Sequence, residues 1–195
     1  MSGIDNSNEI TVKVTCSKDE LIQLLENNGL KFDRAFSLDD YYFIPKNINV
    51  EEYSTRALIA MCPIVRNIVD NGVPKYRISF KFKEFNDKDE IISQKDVYCE
   101  VKEYKDANKL FEAMGYDLLI NIKENDVVYK NDEIEFAIKS VVNGDLMIEI
   151  ETGRSSKYDT IDKLKQAIKE LNIPIEDNNY FVKKVEIELN KKLNR

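Results

Sequence analysis

Hydrophobic and polar residues alternate with a period of two in several short stretches of the chain. In residues 145–151, DLMIEIE, Leu146, Ile148 and Ile150 alternate with Met147, Glu149 and Glu151. An extended chain therefore sends the aliphatic side chains to one face and both carboxylates to the other. The same arrangement recurs in residues 9–13 (EITVK), whose polar face carries both signs, and in residues 77–83 (RISFKFK), whose polar face is basic. Three such strands in one sheet would set carboxylates and cations on a common surface. The alternative reading is the solvated face of an antiparallel sheet, a common arrangement.

The remaining pattern predicts strands with helices set between them. Residues 1–8 read as a loose lead-in and 9–14 as the first strand. Ser17 and Glu20 form a capping-box signature for a helix carrying Leu21, Ile22, Leu24 and Leu25, which Asn27-Asn28-Gly29 ends. A strand follows over residues 38–44, closed by Pro45, and then a loop over 47–55. The apolar run ALIAMCPIVRNIV, ended by the Asp70-Asn71-Gly72 turn, predicts a short helical turn and a strand. Residues 76–85 and 90–102 are strands joined by a turn at 86–89, and 106–114 is a helix closed by Gly115. Strands are predicted at 117–123, 126–129, 134–141 and 146–151, with a hairpin signal at Asn143-Gly144-Asp145. Residues 159–171 form an amphipathic helix. Residues 180–189 read as a strand or a helix, and 191–195 as a loose basic tail.

At 195 residues the chain suits a single domain. No run approaches the roughly 20 apolar residues of a membrane span, and the polar N-terminus is unlike a signal peptide, so the cytoplasm is the expected compartment. Cys16, Cys62 and Cys99 read as reduced, packed thiols. The chain has no histidine, which excludes Ser-His-Asp and Cys-His catalysis and histidine metal sites. A net charge of -7 argues against a nucleic-acid or anionic-membrane surface. An anionic ligand would have to enter a pocket where cations are concentrated locally. Glu9, Glu149 and Glu151 are candidate carboxylates for a metal, and Lys13, Arg77, Lys81 and Lys83 candidate cations for phosphates.

EITVKV, the acidic pair with aromatics in DDYYF, RISFKFKE, DANKLFEAMGYD, and NGDLMIEIE followed by DKLKQAIKELNI together resemble the CYTH superfamily, which includes class IV adenylate cyclases and triphosphate tunnel metalloenzymes such as thiamine triphosphatase. The resemblance runs from Glu9 to about Tyr180. It implies an α+β fold: an eight-stranded antiparallel β-barrel forming a tunnel, with helices packed outside. Acidic residues inside would hold Mg2+ or Mn2+, and Lys and Arg would hold the triphosphate of a small molecule. The family's opening Glu-x-Glu-x-Lys falls on Glu9, Thr11 and Lys13, so its second carboxylate is missing. Its third-strand arginines are matched by Arg66 and, more weakly, Arg56. The lysine after an aromatic is Lys81, with Lys83 beside it, and Glu100 stands near the acidic residue of the fifth strand. Lys123 fits the basic strand after the central helix, but the arginine expected shortly after it is Asn125 or Asp126. Glu149 and Glu151 match the closing Glu-x-Glu, and Lys139 falls where many members have an aspartate.

The resemblance thus implies a metal set of Glu9, Glu149 and Glu151, and phosphate ligands Lys13, Arg56, Arg66, Arg77, Lys81, Lys83 and Lys123. Its catalytic group is Glu149, Glu151 and Lys81. Hydrolysis of a triphosphate is the first expectation and cyclisation of ATP the second. A non-catalytic polyphosphate- or nucleotide-binding module is the competing class, favoured by Thr11 and Lys139, and a homodimer is left open. Tyr41, Tyr42 and Phe43 read as core aromatics.

Overall fold

A computed structural model describes residues 9–85, 91–151, 156–177 and 179–195, of which 9, 83–85, 91–96, 151 and 156 are described by their backbone alone. The expected lead-in at 1–8 and the turn at 86–89 lie outside the described residues. The strands are β1 (Glu9–Lys13), β2 (Lys31–Pro45), β3 (Pro63–Asp70), β4 (Val73–Phe85), β5 (Ile91–Val101), β6 (Tyr116–Lys130), β7 (Glu135–Val141) and β8 (Leu146–Glu151). They form one antiparallel sheet in the order β1-β8-β7-β6-β2-β3-β4-β5. The helices are α1 (Lys18–Asn27), α2 (Thr55–Ala60), α3 (Tyr104–Ala113), α4 (Ile161–Glu170) and α5 (Lys184–Leu193). The α+β class and the eight antiparallel strands agree with the expected fold. Among the described residues no helix is long and apolar enough to cross a membrane.

The described residues divide into two compact units: Leu38–Lys123 with Val185–Arg195, and Glu124–Lys184 with residues 9–37. In the second, the aliphatic faces of β1, β7 and β8 (Ile10, Val12, Phe136, Ile138, Ile148, Ile150) pack on Leu21 and Leu25 of α1 and on Leu164, Ala167 and Ile168 of α4. Period-two strands and a period-3.6 helical stripe thus bury one another, which is what makes each element stable. Helix α1 starts at the predicted capping box: Ser17 Oγ accepts from the Glu20 amide at 3.3 Å, and the Glu20 carboxylate accepts from the Ser17 amide at 2.8 Å. Replacing Ser17 by alanine is expected to cost about 1 kcal/mol in urea unfolding. The free edge of β1 is covered by the segment after α4. The Thr11 amide donates to Tyr180 O and the Val182 amide to Thr11 O, each at 3.0 Å, so β1 is not left open to another chain.

In the first unit, Phe43, Val65, Ala107 and Phe111 form the core, where α3 covers the β2–β3–β4 face carrying Tyr41 and Ile78. Tyr41 and Phe43 lie here, as core aromatics should. The Asp70-Asn71-Gly72 turn joins β3 to β4, with φ of 50° at Asn71 and 76° at Gly72, the positive-φ pair a tight hairpin turn requires.

Three elements differ from expectation. Strand β2 starts at Lys31, because its first residues join the ladder by backbone pairing without an alternating apolar face. β6 runs unbroken through Lys123-Glu124-Asn125-Asp126, where two strands, 117–123 and 126–129, were expected. Residues 184–193 form a helix, one of the two expected alternatives, but the terminal tail expected to be loose is held: Arg195 donates to Tyr53 O at 2.7 Å and Val50 O at 2.8 Å.

Candidate functional site

The ladder among β1, β8, β7 and β6 decides which polar residues of the second unit meet. Thr11 stands opposite Glu149, which stands opposite Ala137, and Lys139 stands opposite both Met147 and Asp126. Directly opposed residues share a face. The face away from the aliphatic core therefore carries Thr11, Lys13, Glu149, Lys139, Glu124 and Asp126. The positions of Glu9 and Glu151 are also opposite one another in the register, but their side chains lie outside the description.

Glu149 is not open on this face. Its Oε2 lies 2.8 Å from Lys139 Nζ and accepts from Thr11 Oγ1 at 3.4 Å. Burial works against the Lys139 ammonium, but the attraction of Glu149 and Glu124 and the hydrogen bond to Glu149 outweigh it, and the lysine's pKa is raised. Next to this pair, Lys184 Nζ binds Glu124 Oε1, with Glu124 fully buried. Asp126 is 1% exposed, and neither of its carboxylate oxygens has a hydrogen-bond partner. Burial, followed by repulsion from Glu124, pushes its pKa up to about 7. A carboxyl group so placed keeps its proton at pH values where a solvated aspartate has lost it. Lys13 is held by Glu176 at 2.9 Å and Asp145 at 3.1 Å, and the hydrogen bond to Glu176, followed by that to Asp145, raises its pKa. An open depression of about 320 Å3 between α1 and the end of α4 is lined by Glu20, Gln23, Leu24, Asn27, Asn28, Leu171 and Asn172. It carries no cation and does not suit a phosphate.

In the first unit the cations gather on β3 and β4. Arg66 stands directly opposite Arg77, and alternation adds Ser79, Lys81 and position 83 to the same face. Arginines set directly opposite each other repel. A buried carboxylate offsets the repulsion here: Arg66 Nε and Nη2 donate to the two oxygens of Asp40, each at 2.6 Å. Asp40 is fully buried and Arg66 side-chain exposure is 13%. Arg77 lies 5.3 Å from the centre of the Tyr98 ring and opposite Glu100 in the β4–β5 register. Ser79 is buried and Lys81 half-buried.

Besides Lys13, which Glu176 and Asp145 hold in the second unit, two of the expected phosphate ligands are engaged elsewhere. Lys123 is 3.6 Å from Asp39, which also accepts from Asn121 and from Tyr41 OH, so it shares the face of the core aromatics; the Tyr41 pKa is raised, first by burial and then by this bond. Arg56 pairs with Glu186 of α5 at 2.9 Å. The expected catalytic group divides between the units, with Lys81 in one and Glu149 and Glu151 in the other. The sequence reading passed over Asp40, Glu124, Asp126 and Lys184. A signal for three of them was present: Asp40 interrupts the period-two row Leu38, Tyr42, Ile44, and Glu124 and Asp126 continue the row Ile120, Ile122 into Val128.

No family model matches the chain, and no characterised protein matches it significantly in sequence. Solved structures do match. A protein from Pyrococcus horikoshii is 17% identical with a TM-score of 0.69, covering 94% of this chain and 99% of its own. A candidate adenylyl cyclase from Hippeastrum, described as having a dominant triphosphatase activity, is 13% identical with a TM-score of 0.62, covering 93% and 94%. A candidate adenylate cyclase from Bacillus halodurans is 12% identical with a TM-score of 0.53, covering 95% and 98%. The chain has the fold of these proteins, the CYTH-type fold.

Proposed function

We propose that the chain binds a small molecule bearing a triphosphate, a nucleotide or tripolyphosphate, on the β3–β4 face. The observation that carries this reading is the row of Arg66, Arg77, Ser79 and Lys81, two arginines set side by side with a hydroxyl and an ammonium beyond them. Such a row matches the spaced charges of linked phosphates, and guanidinium groups suit phosphate oxygens. The fold likeness to a protein described as having triphosphatase activity supports the same ligand class.

The resemblance implies Mg2+ or Mn2+ on Glu9, Glu149 and Glu151; of these only the Glu149 side chain is described, and its surroundings do not fit such an ion. Thr11 stands where a second carboxylate is expected, and Lys139 is seated on Glu149. Among the described residues no group of three or more His, Cys, Asp or Glu is arranged to hold a metal. Hydrolysis of the phosphoanhydride is the first activity to assay and ATP cyclisation the second. The Lys139–Glu149 pair favours a second reading, a module that binds the anion without turning it over.

Calorimetry with tripolyphosphate and with ATP tests the binding. Lys81→Ala is expected to weaken either ligand about tenfold, the loss of one charge-assisted contact. Absence of binding by the wild-type protein at millimolar ligand would sink the reading. Phosphate release and cyclic AMP formation, followed in the same samples, separate the enzyme from the module.

A further inference from the structure

We infer that the Lys139 ammonium is the built-in counter-ion of Glu149, taking the place of a divalent cation, so that anion binding by this chain is independent of Mg2+ and Mn2+. The inference concerns the same polar face on which the resemblance places a metal, and its anion-binding half rests on the proposed function; its metal half does not. Lys139 Nζ lies 2.8 Å from Glu149 Oε2, within the range of a charge-assisted hydrogen bond. Thr11, directly opposite Glu149 in the β1–β8 register, donates to the same oxygen and brings no charge of its own. Lys139 is mostly buried, with side-chain exposure of 17%, and it is tethered to the central strand of this half of the sheet. It cannot diffuse away as a bound ion would.

The surrounding charges complete the case. Glu124 is taken up by Lys184, and Asp126 stands directly across β6–β7 from Lys139. Among the described side chains, three carboxylates facing two ammonium groups leave at most one negative charge for an incoming dication. Magnesium is usually held in near-octahedral geometry by one or two carboxylates together with water, and Glu149 is already committed to Lys139. A divalent ion would also have to approach the lysine that already holds Glu149, and like charges at that separation repel strongly where water is scarce.

The test is a Mn2+ titration of the full chain, without phosphate, by calorimetry and by the loss of the free Mn2+ paramagnetic resonance signal. Wild-type protein is expected to bind Mn2+ no more tightly than about 1 mM. Lys139→Met is expected to gain at least tenfold, and the added Glu149→Gln to abolish the gain. Should Lys139→Met fail to fold, Lys139→Gln, which keeps a polar partner for Glu149, serves in its place. Stoichiometric wild-type binding below about 0.1 mM that is lost in Glu149→Gln would overturn the inference. Tripolyphosphate titrated in EDTA and in Mn2+ is expected to bind with affinities within about threefold, and a strict requirement for Mn2+ would likewise overturn it. If tripolyphosphate binds in neither condition, the proposed function falls, while the Mn2+ titration still decides the metal question alone.

Discussion

Arg66→Ala is expected to destabilise the protein by about 3–5 kcal/mol, the usual result of breaking a buried ion pair from one side. Asp40 is fully buried and accepts from Arg66 through both oxygens at 2.6 Å. Without the guanidinium its carboxylate loses this bidentate counter-charge in a place water does not reach, and the desolvation cost is no longer offset by it. The double variant Asp40→Leu, Arg66→Met removes both charges and keeps apolar volume, so it is expected to recover most of the loss. Urea unfolding followed by circular dichroism measures both. A loss below 1 kcal/mol in Arg66→Ala would show that Asp40 finds another partner. The comparison also bears on ligand binding, because Arg66 belongs to the cationic row: an Arg66 variant must be corrected for stability before any change in affinity is assigned to the phosphates.

The second large effect is a dependence on pH from Asp126. Its pKa is about 7 in the folded chain against 3.8 for an ordinary aspartate. Between those values the folded protein retains a proton that the unfolded chain has released. Stability from this group is therefore greatest below about pH 4, falls as pH rises, and levels off above about pH 7. A gap of about three pH units corresponds to about 4 kcal/mol. Burial sets most of it, with Glu124 and Glu149 repelling the carboxylate and Lys139 and Lys184 attracting it. Asp126→Asn keeps the shape and carries no titrating proton. It is expected to be more stable than wild type by about 2–4 kcal/mol at pH 8 and nearly equal to it at pH 4. Thermal unfolding of both proteins from pH 4 to 8 measures the difference. Parallel curves would mean that Asp126 is solvated or paired.

Much of the fold was legible because strand periodicity is a local property. EITVK and DLMIEIE both form strands with the aliphatic side inward, and the capping box of α1 lies where Ser17 and Glu20 placed it. The run Lys123-Glu124-Asn125-Asp126 misled for an equally physical reason. Charges in a row of apolar positions read as the gap between two strands, yet Glu124 and Asp126 are buried in the middle of β6. Their burial depends on Lys184, sixty residues away, and on Lys139 on the neighbouring strand. Nothing within the local window announces either partner.

The candidate site divides along the same line. The sequence by itself determined which residues fall on the polar side of each strand, because successive side chains must alternate. It also determined that histidine chemistry is excluded, that Thr11 breaks the expected carboxylate pair, and that the cations of RISFKFK share one face. Only the tertiary structure decided what those charges do. Strand order and register set Lys139 on Glu149, Asp40 on Arg66, and Glu176 and Asp145 on Lys13, and they turned Lys123 toward Asp39. The reason is that alternation fixes the side of a strand a charge takes, whereas its partner, and so its charge state and its chemistry, is set by pairings between residues far apart in the chain.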